Sequence, residues 1–293
     1  MEPMEKVEPV EPVAKRIKAG MQLLNGFLVP STCSAVVLPI NQKNAHPRDA
    51  MIAFDEGPHV YYVKGETGFT SVTTFLHKFF EEFDALGIAT NMVQRPDFRK
   101  AARYAQYRSI EAETQEDLIA KIMQSWEDNG REQAALGTKM HEYIELCANG
   151  VSAGPGEEKE RQFYHAYAAR QSAAGLVPYR TEWMLWDEEL KLTGSIDMIY
   201  QHTSGTFHMV DWKRSKEIKK FGFKKGKNCC SHLQDCNFVH YSLQLNLYKY
   251  LLEKNYGIQI ADMHIVVFHP SNDNFLEFRV TDQQAMVQQM LRL

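Results

Sequence analysis

Three closely spaced strand patterns in the second half of the chain restrict its possible folds more than any other feature. Residues 180–186, 192–200 and 206–213 are rich in apolar, β-branched and aromatic residues, and a short polar turn that ends at Gly205 joins the last two. Further patterns follow: a helix over 238–254 and strands over 263–269 and 275–280. Because helix patterns fill the preceding half, this order predicts a single domain of the α/β or α+β class.

The half of the chain before these strands is predicted to be mainly helical. Thr114 and Asp117 form a capping-box pattern ahead of an apolar stripe, which indicates the start of one helix. At the other end of the chain, Thr281 is the predicted cap of a final helix. The other elements expected before residue 180 are a strand region over 53–63 and helices over 71–83, 131–147 and 157–172.

The first 48 residues predict a disordered or loosely ordered arm. Glutamate recurs at every third position from Glu2 to Glu11 with prolines between, a composition that buries too little surface to offset the entropy of ordering. A basic cluster at 15–18 fits either a nuclear import signal or a solvated turn. We therefore predict an arm over 1–48 and one folded domain over 49–293, acting in the nucleus or the cytoplasm.

Composition excludes several classes of protein. With 44% hydrophobic and 24% charged residues the chain matches globular proteins, and it lacks the run of about 18 apolar residues that a membrane span needs. The acidic, proline-rich start is unlike a secretory signal or a mitochondrial presequence. Five cysteines without regular spacing argue against a disulfide framework. A net charge of −4 excludes a uniformly basic surface but permits a local basic patch.

Two acidic positions on neighbouring strands form the first candidate site. Asp197 closes a Gly-x-x-Asp motif that begins at Gly194, and Asp211 opens an Asp-x-Lys motif that ends at Lys213. If the strands pair, the carboxylates lie side by side, an arrangement that Mg²⁺ or Mn²⁺ stabilises. The lysine can then polarise a water molecule or stabilise charge that develops on a phosphate. An ordinary charged surface hairpin would give the same pattern.

Two helical motifs add further candidates. His141 lies beside the apolar stripe of its helix with Glu145 one turn later, and imidazole is a competent metal ligand, although a structural histidine fits the same pattern. Gln244 and Tyr248 share one helical face. This pair suits contacts with phosphate or metal-bound water, and ordinary helix packing is the alternative.

The order Gly-x3-His, Gly-x-x-Asp, Asp-x-Lys and Gln-x3-Tyr resembles the PD-(D/E)XK nuclease superfamily in its RecB-like exonuclease branch. Residues 69–76 also resemble the Ser-Val-Thr helix start of the mitochondrial genome-maintenance exonuclease group, and large DNA viruses carry similar nucleases. The resemblance covers about residues 53–270. It implies a restriction-endonuclease-like core, in which a mixed central β-sheet is flanked by α-helices and the active site lies at the sheet edge.

The resemblance also implies roles at the metal. The implied ligands are two carboxylates, one imidazole and one backbone carbonyl: Asp197, Asp211, His141 and the carbonyl of Trp212. Lys213 is implied to position the attacking water.

Other implied roles lie around this centre. Glu182 matches a glutamate often found upstream of the Gly-x-x-Asp motif, and it is implied to bind metal or water in an outer shell. Gln244 and Tyr248 are implied to support the nucleic-acid side. Ser71 and Thr73 are implied to contact phosphate through their hydroxyls and the N–H groups of a helix start.

The cysteines depart from the family pattern. Several relatives carry an iron–sulfur cluster whose three late cysteines follow the Gln-x3-Tyr helix. In this chain the late cysteines precede that helix: Cys229, Cys230 and Cys236. An iron–sulfur cluster is therefore not expected. Two of these cysteines, with two histidines, have a spacing compatible with zinc: Cys229, Cys236, His232 and His240. A helix that begins at Asp235 or Asn237 would divide this second set.

Residues 213–227 form a basic segment with eight basic residues and one acidic residue. Phe221 and Phe223 interrupt it, and aromatic side chains among cations suit single-stranded nucleic acid. A solvated basic loop is the alternative, but the position directly after Lys213 favours the nucleic-acid interpretation. The basic residues assigned to binding are Arg214, Lys216, Lys219, Lys220, Lys224 and Lys225.

Together these features predict a Mg²⁺- or Mn²⁺-dependent deoxyribonuclease. We expect an exonuclease that acts on single-stranded or frayed DNA ends in replication, repair or recombination. An RNA endonuclease of the same fold and a non-catalytic nucleic-acid-binding module are the alternatives. The intact set of Asp197, Asp211 and Lys213 argues against the loss of catalysis.

Overall fold

The computed structural model describes residues 21–24, 27–30, 38–151 and 158–292. Its strands are β1 (Met21–Leu24), β2 (Phe27–Pro30), β3 (Ile52–Asp55), β4 (Val60–Val63), β5 (Thr70–Ser71), β6 (Leu176–Asp187), β7 (Leu192–His202), β8 (Phe207–Lys213), β9 (Ile260–Val267) and β10 (Leu276–Arg279). Its α-helices are α1 (Pro39–Lys43), α2 (Val72–His77), α3 (Ala85–Val93), α4 (Gln115–Ala148), α5 (Lys159–Ala173), α6 (Asn237–Asn255) and α7 (Gln284–Met290). Short 3-10 helices occupy Pro47–Met51, Ala102–Tyr107 and Asn228–Cys230.

A six-stranded mixed sheet lies at the centre of the fold. Strands β6, β7 and β8 are antiparallel neighbours, β8 and β9 run parallel, and β10 closes one edge against β9. Two-residue strand β5 joins the start of β7 in parallel. The two remaining pairs, β1–β2 and β3–β4, are antiparallel hairpins outside this sheet.

Helices cover both faces of the sheet. Because neighbouring side chains on a strand point to opposite faces, Met209 packs into a core with α2, α6 and α7, while Val210 packs into a second core with α4 and α5. Helices on both faces therefore bury most residues of β7 and β8. The predicted fold class, a mixed sheet flanked by helices, is confirmed.

The predicted elements differ from the observed ones mainly in the helical half. Thr114 caps α4 and accepts a hydrogen bond from the backbone N–H of Asp117, as predicted. The helix then continues for 34 residues through Gly130, where two helices were expected. A single internal glycine costs only about 1 kcal/mol, which the flanking packing outweighs.

Two other helix predictions are corrected. The helix expected over 71–83 ends at His77, and the chain continues in turns. Thr281 does not cap the final helix, because α7 begins three residues later. The backbone N–H of Gln283, the residue before α7, instead donates a hydrogen bond to Oδ1 of Asn246.

The folded part begins earlier than the predicted boundary at residue 49. Helix α1 lies within the expected arm, and its Asn41 and the adjoining Asn44 hydrogen-bond to backbone groups of β6. Arg48 stacks on the ring of Trp186, 3.6 Å from its centroid, and donates a hydrogen bond to its carbonyl. These partners lie about 140 positions away in the sequence, so local composition gave no sign of them. The basic cluster at 15–18 lies outside the described residues.

None of the helices in the described ranges combines the length and the apolar composition needed to cross a bilayer.

Candidate functional site

The candidate site lies at a stretch of β7 where one edge of the strand is unpaired. Strand β6 follows one edge of β7 over almost its whole length, so β5 and β8 share the other edge. Strand β5 pairs with Leu192 and Thr193, and β8 pairs with residues 198–201. Within the described part of the chain, residues 194–197 therefore have no partner strand on that edge. The Gly-x-x-Asp motif occupies this gap.

Asp197 ends the gap and is fixed by the neighbouring strand. Its Oδ2 accepts a hydrogen bond of 2.7 Å from the backbone N–H of Trp212. The other oxygen, Oδ1, faces the space between the sheet and α4, where His141 approaches. At this end of the β7–β8 pairing, the side chain of Asp197 therefore takes the place of a backbone-to-backbone hydrogen bond.

Glu182 lies opposite Asp197 on β6. The pairs Thr181–Met198 and Trp183–Ile196 flank these two residues. Glu182 itself has a φ of 40°, in the left-handed region, which costs a residue with a Cβ about 1–3 kcal/mol. Its Oε2 accepts a hydrogen bond of 3.1 Å from Ser195. Strain of this kind often accompanies functional sites, and here it accompanies a carboxylate directed at the gap.

His141 reaches these carboxylates from the helical layer. Helix α4 packs on the sheet through the adjacent Met140. Nδ1 of His141 lies 3.3 Å from Oε1 of Glu182 and 3.8 Å from Oδ1 of Asp197. Nε2 lies 3.1 Å from the carbonyl oxygen of Trp212. Burial alone would lower the pKa of His141, but the charges of Asp197 and Glu182 outweigh it and raise the pKa to about 9.

His141, Glu182 and Asp197 form a potential metal-ligand group. One ligand atom from each lies within 4.8 Å of the other two, and no other such group of three occurs among the residues that the structure describes. Glu182, expected in an outer shell, belongs to this group, whereas Asp211, expected as a direct ligand, does not. The carboxylate of Glu182, a residue with a left-handed backbone, lies directly against His141.

Asp211 and Lys213 lie beside this group on one face of β8. Nζ of Lys213 is 2.6 Å from Oδ2 of Asp211 and 4.7 Å from the ring centroid of Tyr241. Burial raises the pKa of Asp211, with Lys213 opposing and Asp197 adding to the shift. Burial would lower the pKa of Lys213, but Asp211 and Asp197 outweigh it and raise the pKa.

The chemistry of the site fits a divalent cation. The pKa of Asp197 is also raised, because the effect of burial outweighs the opposing charge of His141. Nζ of Lys213 lies 2.6 Å from the buried Oδ2 of Asp211, and burial still raises the pKa of both aspartates. The carboxylates are therefore under-compensated. Carboxylate and carbonyl oxygens together with one imidazole are a ligand set for a divalent metal ion.

Helix α6 closes the site through the Gln-x3-Tyr motif. Tyr248 packs directly on Gly194, where a Cβ would lie 2.5 Å from Cε1 of the tyrosine ring. Gln244 is buried beside it, and its Nε2 donates to the hydroxyl of Tyr248 at 3.2 Å. The glycine of one motif is thus required by the tyrosine of the other, which explains why both belong to one site.

The sequence model of the PD-(D/E)XK nuclease superfamily matches residues 74–292. The chain belongs to this superfamily. Its members are generally nucleases and typically use divalent metal ions. The matched region contains the whole group of residues around the gap in β7.

The other comparisons add little detail to this assignment. A search of curated proteins finds no match. Among solved structures, the crystal structure of SSO0001 aligns with 45% of this chain at 13% identity and a TM-score of 0.26. The alignment spans 54% of that chain, about half of its length.

Three residues assigned to nucleic-acid binding in this PD-(D/E)XK chain already have partners within the protein. Arg214 pairs with Glu160 on α5 at 2.9 Å and donates to Gln133 on α4 at 2.6 Å. This mostly buried pairing ties the end of β8 to the helical layer, and the phosphate contact of Arg214 stays a prediction. Ser71 caps α2, accepting from the N–H of Thr74, and its hydroxyl also contacts that of Thr73.

The rest of the basic segment lies on the surface. Phe221 and Phe223 are 80% and 112% exposed. Lys224 forms an ion pair with Glu81 at 2.6 Å, which attaches the segment to the turn after α2. The remaining assigned lysines are also exposed: Lys216, Lys219, Lys220 and Lys225.

The cysteine–histidine set does not form a metal group among the described residues. Cys236 is the N-cap residue of α6, so the set is divided between loop and helix. His240 instead stacks on Phe80 with 4.0 Å between ring centroids and lies 2.8 Å from a carboxylate oxygen of Asp235. The zinc interpretation therefore has no support in the structure.

Two tyrosines at the site were not singled out from the sequence. Tyr241 contacts Lys213 and lies three residues before Gln244, so its helical spacing was the available signal. Tyr61 comes from the β3–β4 hairpin, where burial and then the charge of Glu182 raise its pKa to about 12. No local pattern connects Tyr61 with a residue more than 100 positions later.

Proposed function

We propose that the protein is a Mg²⁺- or Mn²⁺-dependent deoxyribonuclease of the RecB-like branch, similar to the mitochondrial genome-maintenance exonuclease group. The convergence of His141, Glu182 and Asp197 beside Lys213 carries this proposal. The branch assignment is supported by a histidine on a helix before the sheet and a Gln-x3-Tyr motif on the helix after it.

The proposed mechanism assigns binding to the three-ligand group and positioning to its neighbours. A bound divalent ion would supply a Lewis acid for the phosphate and for the attacking water. His141, Glu182 and Asp197 would hold that ion, and the carboxylate of Asp211 would add a further negative charge beside it. Lys213 keeps its ammonium beside Asp211, where it orients the water and stabilises negative charge on the phosphate.

Two aromatic residues of α6 line this part of the site. Tyr241 covers the Lys213 ammonium, and Tyr248 fills the space over Gly194. The site is therefore closed on the side of α6, and a substrate would enter from the exposed side of the sheet gap.

The substrate proposal rests on the exposed part of the basic segment. Exposed lysines neutralise phosphates without reading sequence, and the exposed rings of Phe221 and Phe223 suit stacking with unpaired bases. These features favour single-stranded or frayed DNA ends. An exonuclease in replication, repair or recombination is the activity we infer.

A time course on matched substrates tests the proposal. End-labelled linear DNA, circular single-stranded DNA and RNA of the same sequence are incubated with Mg²⁺, Mn²⁺ or a chelator. We expect metal-dependent release of end label from linear DNA, a loss of cleavage in Asp211→Asn with binding retained, and normal cleavage in the exposed control Glu188→Gln. Full activity of Asp211→Asn would contradict the site assignment. Cleavage of RNA alone, or binding without cleavage, would favour the two alternatives.

A further inference from the structure

The segment 38–44, which we call the strap, makes unusual contacts with the residue before Glu182. Nδ2 of Asn41 donates to the carbonyl of Thr181 and its Oδ1 accepts from the N–H of the same residue, both at 3.0 Å. One side chain thus occupies both backbone groups of Thr181 on the edge of β6 that faces away from β7. At this residue the asparagine takes the place of a neighbouring strand, which this edge lacks among the residues that the structure describes.

The side chain of Thr181 is held as well. Its hydroxyl accepts from Nδ2 of Asn149 at 3.1 Å and lies 3.4 Å from a carboxylate oxygen of Glu145. Oδ1 of Asn149 accepts from the backbone N–H of Ile40 in the strap at 2.9 Å. Thr181 and Asn149 are both buried. Backbone and side chain of Thr181 are therefore fixed from the strap and from α4 together.

This fixation bears directly on the next residue. Glu182 has a left-handed φ, which persists only where the surroundings determine it. On one side Ser195 holds its carboxylate, and on the other Asn41 holds the peptide that precedes it.

We propose that Asn41 is a positioning residue of the metal site, and that the strap belongs to the nuclease machinery. Asn41 acts through Thr181 to keep Glu182 in the conformation that brings its carboxylate to His141. The strap lies before the region matched by the superfamily, 74–292, and before the domain boundary expected from composition. This inference rests on the proposed function, because it assumes that Glu182 helps to bind a metal ion.

The proposal implies coupling in both directions. If strap docking improves metal affinity, metal binding strengthens strap docking by the same factor. Metal-bound protein should therefore protect the amides of 38–44 from hydrogen exchange more than metal-free protein does. A strap that only stabilises the fold would show no such response.

The test measures Mn²⁺ binding to the full chain without DNA, by electron paramagnetic resonance of free Mn²⁺. Supporting residues behind metal ligands typically contribute about 10- to 100-fold to affinity, so we expect Asn41→Ala to weaken binding at least about tenfold. Asn44→Ala is the matched control, because it removes a hydrogen bond from the same segment to Tyr179. It and the exposed Lys43→Ala should stay within about twofold of the wild type.

The outcomes separate the two proposals. Equal Mn²⁺ affinity in wild type and Asn41→Ala overturns the role of the strap and leaves the nuclease proposal intact. No Mn²⁺ binding by the wild type overturns both. If Asn41→Ala does not fold, hydrogen exchange of the wild type decides. Slower exchange of 38–44 with Mn²⁺, absent in Asp197→Asn, supports the inference, and unchanged exchange overturns it.

Discussion

The central sheet carries two clusters of similar composition and opposite electrostatic character. The candidate site combines His141 with the carboxylates of Glu182 and Asp197. At the far edge, the β9–β10 cluster combines His264 with Asp262 at 3.3 Å and Glu277 at 3.1 Å. Each therefore contains one imidazole between two carboxylates.

The clusters differ in the cations that surround them. In the β9–β10 cluster Arg279 contacts Asp262 at 2.8 Å, and Arg170 contacts Glu277 at 2.6 Å. Burial would raise the pKa of both carboxyls, but the arginines and His264 outweigh it and lower both values. At the candidate site burial prevails, and the pKa of Asp197 is raised.

This difference distinguishes a structural acidic cluster from a binding one. Carboxylates that already have their counter-ions gain little from a metal, whereas buried carboxylates without enough cations are stabilised by one. The β9–β10 cluster is thus complete within the protein. The candidate site has under-compensated carboxylates, which an added cation would stabilise.

The largest expected effect is on catalysis. Asp197→Asn should lower kcat/KM on single-stranded DNA by about a thousandfold, because it removes a carboxylate that we assign to the metal. Asp262→Asn, the matching change in the β9–β10 cluster, should stay within about twofold of the wild type. Single-turnover cleavage assays measure both. Equal losses in the two variants would remove the distinction between the clusters.

Metal binding should stabilise the folded protein against unfolding only if the candidate site is intact. At a concentration of about 100 times Kd, Mn²⁺ adds about 2.7 kcal/mol to the free energy of unfolding. Thermal unfolding with Mn²⁺ or with a chelator should show this gain in the wild type and in Glu277→Gln, but not in Asp197→Asn. A gain that survives in Asp197→Asn would place the bound ion elsewhere.

The exposed lysines of the basic segment give a test of the substrate path. Replacing Lys219, Lys220, Lys224 and Lys225 together by glutamine should weaken single-stranded DNA binding about tenfold at moderate salt. The slope of log affinity against log salt should fall by about 0.7 for each phosphate that the variant no longer neutralises. Fluorescence anisotropy titrations at several salt concentrations measure both. An unchanged slope would remove the basic segment from the substrate path.

The smallest effect concerns the β9–β10 cluster itself. Glu277→Gln should lower the free energy of unfolding by about 1 kcal/mol at pH 7, since half-exposed ion pairs are weakened by solvent. Because the pKa of Glu277 is lowered from 4.5 in the folded protein, its contribution is present above pH 4.5 and is lost as the pH falls further. Denaturant unfolding of both proteins at pH 7 and in acid should show a difference at pH 7 that disappears in acid. A constant difference would mean that charge does not cause it.

Local patterns predicted the sheet and the motif positions well. The three strand patterns correspond to β6, β7 and β8, because alternation of side chains and a polar turn are properties of adjacent residues. The hairpin between β7 and β8 also brought the regions of Asp197 and Asp211 together, as the sequence predicted. The continuity of α4 was not predicted, since packing along its length overrode a local glycine.

Distant contacts decided what the patterns could not. Arg214 looked like part of a phosphate-binding segment, but Glu160, 54 residues earlier, engages its guanidinium. The family resemblance placed Glu182 in an outer shell, whereas the structure brings its carboxylate to His141. The left-handed backbone of Glu182 has surroundings that include Asn41, about 140 residues away. Neither partner is visible in a window of neighbouring residues.

The amino-acid sequence by itself therefore determined the order of the strands along the chain, the positions of the motif residues, and membership in a nuclease superfamily. It could do so because spacing along a strand or helix sets which side chains share a face. Only the tertiary structure decided which carboxylates face His141, which cations remain exposed, and that the strap reaches β6. Those outcomes depend on burial and on the balance of charge in three dimensions, and both arise from residues that meet only after the chain has folded.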